Sequence, residues 1–332
     1  MATRWTPDAV LATASRYQAS CILAAAADLD VFRLLADHPL TAQEAADRLT
    51  ADLRGTTVLL DALVALELLD KHDGRYALAA DVEPVLTPDG ADSVLAMVQH
   101  QANCLRRWAQ LAEVIRSGKP AERKPSIRGE QADEAAFIGA MHDVSGPVAA
   151  GLIREIGPPE FGHLLDIGGA SGTWTIALLQ ANPDATATLF DLPSVIPLAE
   201  RRMASAGLTD RVRLVAGDFL VDPLPTGADL AWVGAIVHQN SREQNRRLFA
   251  AIARALADGG RILIRDVLMD GSRTSPSYGA LFAVNMLVAT EGGGTFTFDE
   301  IREDLEATGF ADVTVVRRDQ GMNSIVQATK TR

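Results

Sequence analysis

The stretch LLDIGGASGTWTIALL, residues 164–179, constrains the fold of this chain more than any other segment. A short apolar run and an acid precede a cluster of glycines, and a second apolar run with helical spacing follows. Glycines between a buried strand and a helix let backbone N–H groups approach a ligand at the positive end of that helix. The stretch therefore predicts a strand–loop–helix unit that binds a phosphate, a dinucleotide or another nucleoside.

The composition indicates a folded protein of two domains. Of 332 residues, 48% are hydrophobic and 22% are charged, which is typical of a globular chain with a sizeable core. The formal net charge of −12 argues against nucleic acid as a partner, because phosphate backbones are bound mainly by clustered Lys and Arg. Cys21 and Cys104 form no CxxC motif, so we expect buried thiols and neither a disulfide framework nor a zinc site.

The N-terminal sequence predicts no membrane attachment. Its first ten residues, MATRWTPDAV, lack the apolar core of a signal peptide. The most apolar early stretch, CILAAAADLDVF, is interrupted by Asp28 and Asp30 and is too short to span a bilayer. We expect a soluble, cytoplasmic protein without a membrane partner.

The N-terminal half carries a helical period and a winged-helix pattern. In PLTAQEAADRL, Thr41 and Glu44 have the spacing of a capping box, which predicts the start of a helix. A second helix leads into a hairpin whose turn is Asp73–Gly74. Between residues 41 and 80 the acids outnumber the bases seven to four, whereas a DNA-binding module is locally basic. The pattern therefore favours a module for contacts between proteins.

The sequence period changes near residue 157. Residues 93–117 and 131–156 predict two long helices, and Pro158 and Pro159 follow them. Beyond lie five short apolar runs that alternate with helices or loops: HLLDIG, ATATLFD, RVRLVAGD, ADLAWVGA and GRILIRDV. Such alternation predicts a parallel sheet covered on both faces, and the tail runs DVTVVRR and NSIVQATK predict an antiparallel pair. We place one domain at 1–157 and the second at 158–332.

Acids at the ends of successive strands discriminate between the candidate ligands. Gly168, Gly169 and Gly172 fit the dinucleotide spacing G-x-G-x-x-G poorly, but with Asp166 they match the glycine motif of methyltransferases. At the end of the second strand, Asp191 can accept both hydroxyls of a ribose, because a carboxylate has two acceptor oxygens. After the third strand, Asp218 can accept the exocyclic amine of adenine while Phe219 lies against the ring. A nucleoside therefore fits the glycines best.

These motifs, in their order along the chain, resemble a known enzyme family. LLDIGGASG, LFDLPSV, AGDF and AIVHQNSREQNRRLF, followed by TFDEIREDLEATGF, are similar to the S-adenosylmethionine-dependent O-methyltransferases of plant and bacterial small-molecule metabolism. The resemblance covers nearly the whole chain. It implies a Rossmann-like class I methyltransferase domain, with a mostly parallel seven-stranded sheet and a C-terminal antiparallel hairpin. An all-helical, winged-helix-like dimerisation domain precedes it, so a homodimer is expected.

The same resemblance implies the cofactor site and the chemistry. S-adenosyl-L-methionine would be held by strand-end residues: Asp166, Gly168, Gly169, Gly172, Asp191, Leu192, Asp218, Phe219 and Gly234. His238 matches the general base of the family, and Asp266 matches the acid that orients it. Two departures stand out, because Gln239 replaces an acid common after the histidine and Thr295 replaces a glutamate common in plant members.

A small-molecule acceptor is the expected substrate. Its pocket would include residues from two helical segments: Met141, His142, Asn285, Met286 and Thr290. His142 and His238 could instead share a metal, as in rare relatives that methylate carbon. Gln239 disfavours this alternative because hard metals prefer carboxylate ligands, so no metal is expected. Two further alternatives are a C- or N-methyltransferase on the same scaffold and a non-catalytic S-adenosylmethionine-binding protein.

Overall fold

The computed structural model describes residues 5–331 of the chain. These residues form two compact units, Met1–Arg106 with Arg123–Asp143, and Arg107–Glu122 with Val144–Arg332. Each unit therefore combines two segments that are separated in the sequence by a segment of the other unit. The domain boundary at residue 157 stays a prediction.

The first unit is mainly helical. Its elements, in chain order, are α1 (Pro7–Ser15), α2 (Tyr17–Asp28), α3 (Val31–Ala36), β1 (Leu40–Thr41), α4 (Ala42–Leu49), α5 (Leu53–Ala65), β2 (Leu69–His72), β3 (Arg75–Leu78), α6 (Glu83–Leu86), α7 (Leu95–Trp108) without its last two residues, and the first part of α9 (Glu130–Glu155). The three strands form a small antiparallel sheet in the order β1-β3-β2. Its core contains Phe32, Leu60 and Leu63, which are buried against Tyr76.

Local sequence signals explain the winged-helix arrangement. The Thr41 side chain accepts the Glu44 N–H, and Glu44 accepts the Thr41 N–H, so the predicted capping box is confirmed. Asp73 and Gly74 both have positive φ, 49° and 75°, as a tight two-residue hairpin turn requires. Cys104 is buried as expected, but the expectation for Cys21 was wrong, because this thiol lies on an exposed part of α2.

The second unit is built on a sheet. Its elements, in chain order, are α8 (Leu111–Ser117), the end of α9 (Glu130–Glu155), β4 (His163–Ile167), α10 (Thr173–Ala181), β5 (Thr186–Asp191), α11 (Ile196–Ser205), β6 (Val212–Ala216), β7 (Ala228–Gly234), α12 (Arg242–Ala255), β8 (Leu256–Asp266), β9 (Leu268–Met269), α13 (Ser277–Ala289), β10 (Phe296–Thr297), α14 (Phe298–Glu306), β11 (Phe310–Arg317) and β12 (Ser324–Lys330).

The seven-stranded sheet has the order β11-β12-β8-β7-β4-β5-β6. Strands β8, β7, β4, β5 and β6 are parallel, and β12 and β11 continue the sheet antiparallel. Both the parallel sheet and the antiparallel tail are therefore confirmed. Two apolar layers cover it: α12 and α14 pack on the face of Ile167 and Ile264, whereas α10, α11 and the end of α9 pack on the face of Leu164 and Leu263. The carboxyl ends of the parallel strands meet at one edge, where a ligand is expected.

Among the described residues, one helix has the length and apolar composition of a membrane span. It is α9, Glu130–Glu155, and 39% of its most apolar window is buried inside the protein. Pro147 lies within this helix. A core helix of a globular protein meets the same criteria, so the finding is weak evidence for a membrane.

Candidate active site

The glycine loop between β4 and α10 is shaped by three residues with positive φ. Gly168, Ala170 and Gly172 have φ values of 66°, 48° and 79°. A Cβ added at Gly172 would lie 2.1 Å from Cε of Met203, and one at Gly168 would lie 2.6 Å from Cδ1 of Ile236. Glycine is favoured at these two positions because the positive φ disfavours a side chain and an added Cβ would displace the ends of the Met203 and Ile236 side chains. The loop thereby presents bare backbone at the start of α10.

Asp191, the last residue of β5, supports this loop. Its Oδ2 accepts the Ala170 N–H at 2.7 Å, and its Oδ1 accepts the Leu192 N–H at 2.7 Å. Burial raises the pKa of the Asp191 carboxyl, and these two backbone bonds act against that shift. Each carboxylate oxygen has a second lone pair, so the group can still accept ribose hydroxyls. Leu192 lies exposed beside it.

Asp218 and Phe219 follow β6 at the same edge of the sheet. The Asp218 Oδ1 accepts the Leu220 N–H at 2.9 Å, which fixes the loop. Cε1 of Phe219 lies 3.7 Å from the position that a Cβ on Gly168 would take. The phenyl ring therefore borders the glycine loop, and the bare loop, the carboxylate of Asp191 and this ring form a cradle that fits a nucleoside. Gly234 ends β7 at the same edge.

Asp166 differs from the other strand-end acids. Asp166 is only 1% exposed, and its carboxylate accepts a hydrogen bond of 2.5 Å from the hydroxyl of Thr175 on α10. Burial raises the pKa of this carboxyl to about 7. The side chain is thus enclosed by protein and links β4 to α10. The assignment of Asp166 as a cofactor-binding residue stays a prediction.

His238 and Asp266 form a buried hydrogen-bonded pair. His238 lies in a short 3-10 turn, Val237–Gln239, just after β7, and Asp266 is the last residue of β8. The distances from His238 Nδ1 to Oδ1 and Oδ2 of Asp266 are 2.8 Å and 3.0 Å. The backbone N–H groups of His238 and Val267 also donate to this carboxylate. Because a carboxylate only accepts, Nδ1 donates, and Nε2 of the neutral ring carries the lone pair.

Three neighbours hold the His238 turn. The side-chain amide of Asn245 on α12 donates to the Val237 carbonyl at 2.9 Å and accepts from Asn240 at 3.1 Å. The Gly294 N–H donates to the His238 carbonyl at 2.9 Å. Phe282 of α13 packs edge-on against the imidazole, with ring centroids 4.8 Å apart. Ser241, not His238, caps α12, so the histidine is not used as a helix cap.

Three of the predicted substrate residues lie on α13 or at its end. The Asn285 Oδ1 accepts the indole N–H of Trp108 at 3.0 Å. Met286 is buried. The Thr290 hydroxyl donates to the Met286 carbonyl and accepts the Gly293 N–H, so it is engaged in the end of the helix. Asn285 lies one helical turn beyond Phe282, which contacts His238.

The other two predicted substrate residues, Met141 and His142, lie on the part of α9 that belongs to the first unit. Their roles stay predictions. Within residues 5–331, no group of three or more His, Cys, Asp and Glu side chains could hold a metal ion.

Comparison with known proteins defines the family. A family model for the O-methyltransferase domain matches residues 108–311, and a model for the O-methyltransferase dimerisation domain matches residues 11–81. The chain belongs to the S-adenosylmethionine-dependent O-methyltransferases. Both halves of the resemblance seen in the sequence are thereby confirmed, as is the Rossmann-like class I fold.

Individual relatives of this O-methyltransferase span nearly its full length. The tetracenomycin polyketide synthesis 8-O-methyl transferase TcmO of Streptomyces glaucescens is 36% identical, over 92% of this chain and 92% of TcmO. The N,N-dimethyltransferase OxyT of Streptomyces rimosus is 32% identical, over 91% of this chain and 90% of OxyT. Human N-acetylserotonin methyltransferase, solved in complex with S-adenosylmethionine, superposes with a TM-score of 0.79 at 26% identity, covering 100% of both chains.

The structure of this O-methyltransferase accounts for its two departures from the family pattern. Gln239 is exposed, and its side-chain amide donates to the Ala235 carbonyl at 3.0 Å, which stabilises the turn. Thr295 is buried, and its carbonyl accepts from Arg273. Neither residue contacts the His238–Asp266 pair through any hydrogen bond within residues 5–331. Both departures therefore leave the pair itself intact.

Several residues of the site are not recognisable from the sequence alone. Phe282 and Trp108 each contact a predicted site residue, yet neither belongs to a motif. Asn245 lies within AIVHQNSREQNRRLF, but nothing in that pattern indicates that its amide holds the His238 turn. Phe282 has one weak signal, because it stands four residues before Met286 and so shares its helix face. Trp108 has none, since it contacts a residue 177 positions away.

Proposed function

We propose that this O-methyltransferase methylates a hydroxyl group of a small aromatic or polyketide-like metabolite, with His238 as the general base. The observation that carries the proposal is the buried His238–Asp266 pair, in which the carboxylate accepts from Nδ1 at 2.8 Å. This bond fixes the tautomer that has a proton acceptor at Nε2. Such an arrangement suits removal of a proton from a hydroxyl.

The residues at the sheet edge have two roles: some bind the cofactor, and others remove the proton of the acceptor. S-adenosylmethionine supplies a methyl group on a positively charged sulfur, ready for in-line displacement by an aligned oxygen. His238 Nε2 takes the proton of the acceptor hydroxyl, and Asp266 stabilises the imidazolium that results. Asp191 accepts from the ribose hydroxyls, while Asp218 and Phe219 bind the adenine. The glycine loop allows the closest approach of backbone to the nucleoside.

The acceptor class follows from the relatives and from the residues near His238. TcmO is named for an 8-O-methylation in polyketide synthesis, which supports a polyketide-like or aromatic acceptor here. Phe282 and the buried Met286 provide apolar contacts for a ring, and Asn285 provides a polar group beside them. We also propose Thr290, Met141 and His142 as acceptor-binding residues, on the strength of the family pattern alone.

Assembly and location are part of the proposal. The dimerisation-domain match at residues 11–81 supports a homodimer. Exposed apolar side chains on α1, such as Leu11, are consistent with burial against a second copy. We further propose that the protein is soluble and cytoplasmic, does not bind nucleic acid and uses no metal.

A screen with isotope-labelled S-adenosylmethionine tests the reaction. Phenols, enols and amines are incubated with the protein, and mass spectrometry detects acceptors that gain the labelled methyl group. Methylation of a phenol or enol oxygen supports the proposal. Methylation confined to amines would favour N-methylation, which the relative OxyT makes the second candidate. Cofactor binding without any methylated acceptor would favour a non-catalytic role.

A further inference from the structure

A cluster of hydrogen-bond donors lies near the carboxyl ends of β7 and β8. It consists of Arg265, Trp232 and Trp174, which we call the donor cluster. Arg265 is the residue before Asp266 on β8 and pairs with Gly234 on β7. Trp232 precedes Gly234 by two positions, so its side chain lies on the same face of the sheet as that of Arg265, the residue paired with Gly234. Because successive residues of a strand alternate, this is the face opposite to the Asp266 side chain.

The three side chains contact one another. The Arg265 guanidinium carbon lies 4.5 Å from the centroid of the Trp174 ring, and the Trp174 and Trp232 rings are 5.1 Å apart with an interplanar angle of 31°. A Cβ added at Gly234 would lie 2.7 Å from Nε1 of Trp232. The indole N–H is therefore located beside the end of β7, next to the strand position of Arg265.

Trp232 and Arg265 each have a donor group without a protein acceptor. Trp232 is fully buried, and its Nε1 has no hydrogen-bond partner. Arg265 is only 4% exposed, and its Nε donates to Asn323 Oδ1 at 2.8 Å. Among residues 5–331, no acidic side chain forms an ion pair with Arg265, and its terminal nitrogens donate to no acceptor. Asp266, Tyr278 and Asp319 act on the guanidinium through longer-range attraction.

An arrangement of this kind is costly without a ligand. Burial lowers the pKa of Arg265 to about 10, so the side chain remains a cation at neutral pH. A buried N–H without an acceptor, as at Trp232, destabilises the folded state. The direct partners of the Arg265 guanidinium are the Trp174 ring and Asn323, and neither carries a negative charge. A guanidinium matches the two oxygens of a carboxylate in one plane, which makes a carboxylate the anion best suited to this position.

We propose that Arg265, assisted by the Trp232 N–H, binds a carboxylate group of a ligand at the carboxyl edge of the sheet. The inference rests on the proposed function, because the ligand is either the cofactor or the methyl acceptor. The cofactor carries an amino-acid carboxylate, joined to its sulfur by a short aliphatic chain that keeps it near the methyl group. The alternative source is an acid group on the acceptor itself.

Binding measurements on the full chain distinguish the two sources without requiring turnover. S-adenosylhomocysteine and 5′-methylthioadenosine share the nucleoside and the thioether, but only the former has the amino-acid carboxylate. Both are titrated by calorimetry into the wild type, Arg265→Met and Trp232→Phe. Arg261→Met is the matched control, because Arg261 lies on the same strand and face four residues before Arg265, where it donates to the Glu160 carbonyl.

The cofactor arm predicts that Arg265→Met weakens S-adenosylhomocysteine binding at least tenfold, with 5′-methylthioadenosine unchanged. Trp232→Phe should weaken it by a smaller factor. A merely structural role for the indole would leave the affinity for S-adenosylhomocysteine unchanged. Loss of affinity for both nucleosides in Arg265→Met would indicate a disturbed fold and would contradict the proposal.

The acceptor arm uses 3-hydroxy-1-naphthoate and its methyl ester as probes, titrated into protein saturated with S-adenosylhomocysteine. If the acid group comes from the acceptor, Arg265→Met loses affinity for the naphthoate relative to the wild type, and the affinity for the ester does not change. The proposal is wrong if Arg265→Met keeps both S-adenosylhomocysteine and naphthoate affinities within twofold of the wild type. Failure of the methylation screen leaves these binding results unaffected, so the two proposals fail separately.

Discussion

The carboxylate of Asp191 accepts the backbone N–H of Ala170 at 2.7 Å, which joins the end of β5 to the middle of the glycine loop. Ala170 has a φ of 48°, an uncommon conformation for a residue with a side chain. The bond from Asp191 therefore holds a loop that would otherwise relax. One carboxylate thus shapes the backbone of the cradle and, in the proposed function, accepts from the ribose.

The first prediction concerns the two roles of Asp191, which holds the glycine loop and accepts from the ribose. Asp191→Ala should weaken S-adenosylhomocysteine binding by about ten- to a hundredfold, because a charge-assisted hydrogen bond contributes roughly 1.5–3 kcal/mol. Calorimetric titration measures the change. Asp184→Ala is the control, since Asp184 is exposed and lies just before the other end of β5. Equal affinities of Asp191→Ala and the wild type would contradict the role of Asp191.

The second prediction concerns His238 as the base. His238→Ala should lower turnover by roughly 10²–10⁴-fold, the range for a positioned proton transfer, and should leave cofactor affinity nearly unchanged. Asp266→Asn should also lower turnover, because the carboxylate that orients the ring is lost. Initial rates on an acceptor from the screen, together with S-adenosylhomocysteine titrations, measure both effects.

The exposed His72 on β2 provides a control for the loss of a histidine. His72→Ala should behave as the wild type in both assays. Near-normal turnover of His238→Ala would exclude the base and would indicate an acceptor that is already ionised or an amine, for which alignment alone is sufficient.

The third prediction assigns a positioning role to Asn245. Its amide donates to the Val237 carbonyl next to the candidate base and is fully buried with Asn240. Asn245→Ala should lower kcat with little change in S-adenosylhomocysteine affinity, and it should reduce stability by about 1–3 kcal/mol through unpaired buried groups. Asn245→Asp retains an acceptor for Asn240 but loses the donor to Val237.

Comparing the two Asn245 variants tests that role. If the bond to Val237 positions His238, both variants lose kcat. If the side chain only fills space, Asn245→Asp keeps the kcat of the wild type and only the stability falls. Urea denaturation measures the stability of each variant.

The framework was predictable because its signals are local. Strand and helix periods, the Thr41–Glu44 capping box and the Asp73–Gly74 turn depend on neighbours a few positions apart. Acids at strand ends likewise follow from the rule that parallel strands end at one edge. His238 and Asp266 could be paired in advance through the family resemblance, and the structure places them just after β7 and at the end of the adjacent strand β8.

The remaining parts of the site depend on tertiary packing. Nothing near Trp108 in the sequence indicates its bond to Asn285, because only the packing of α13 against this segment brings them together. Asp166 resembled the other strand-end acids, but β4 turns its side chain toward Thr175 on α10. Cys21 has the apolar sequence neighbours of a buried thiol, yet it lies on the exposed side of α2.

The last prediction uses the buried carboxyl of Asp166. Its pKa is raised from 3.8 to about 7, mainly by burial and further by the charge of Asp191, while the Thr175 hydrogen bond opposes the shift. Between about pH 4 and pH 7 the folded protein therefore holds a proton that the unfolded chain has released. Linkage then requires that this group lowers the free energy of unfolding as pH rises through that window, with no further change above it.

Asp166→Asn removes this pH dependence, because a carboxamide does not ionise and its oxygen can still accept from Thr175. The stability of the variant minus that of the wild type should therefore increase between pH 5 and pH 8, by up to a few kcal/mol, since one pKa unit corresponds to about 1.4 kcal/mol. Urea denaturation at both pH values measures the difference, and titrating groups that do not interact with Asp166 cancel because the two chains share them. Asp184→Asn, an exposed carboxylate at the far end of β5, should show no such increase. A stability difference that stays constant from pH 5 to pH 8 would mean that Asp166 is ionised throughout this range, and that its charge is compensated inside the fold.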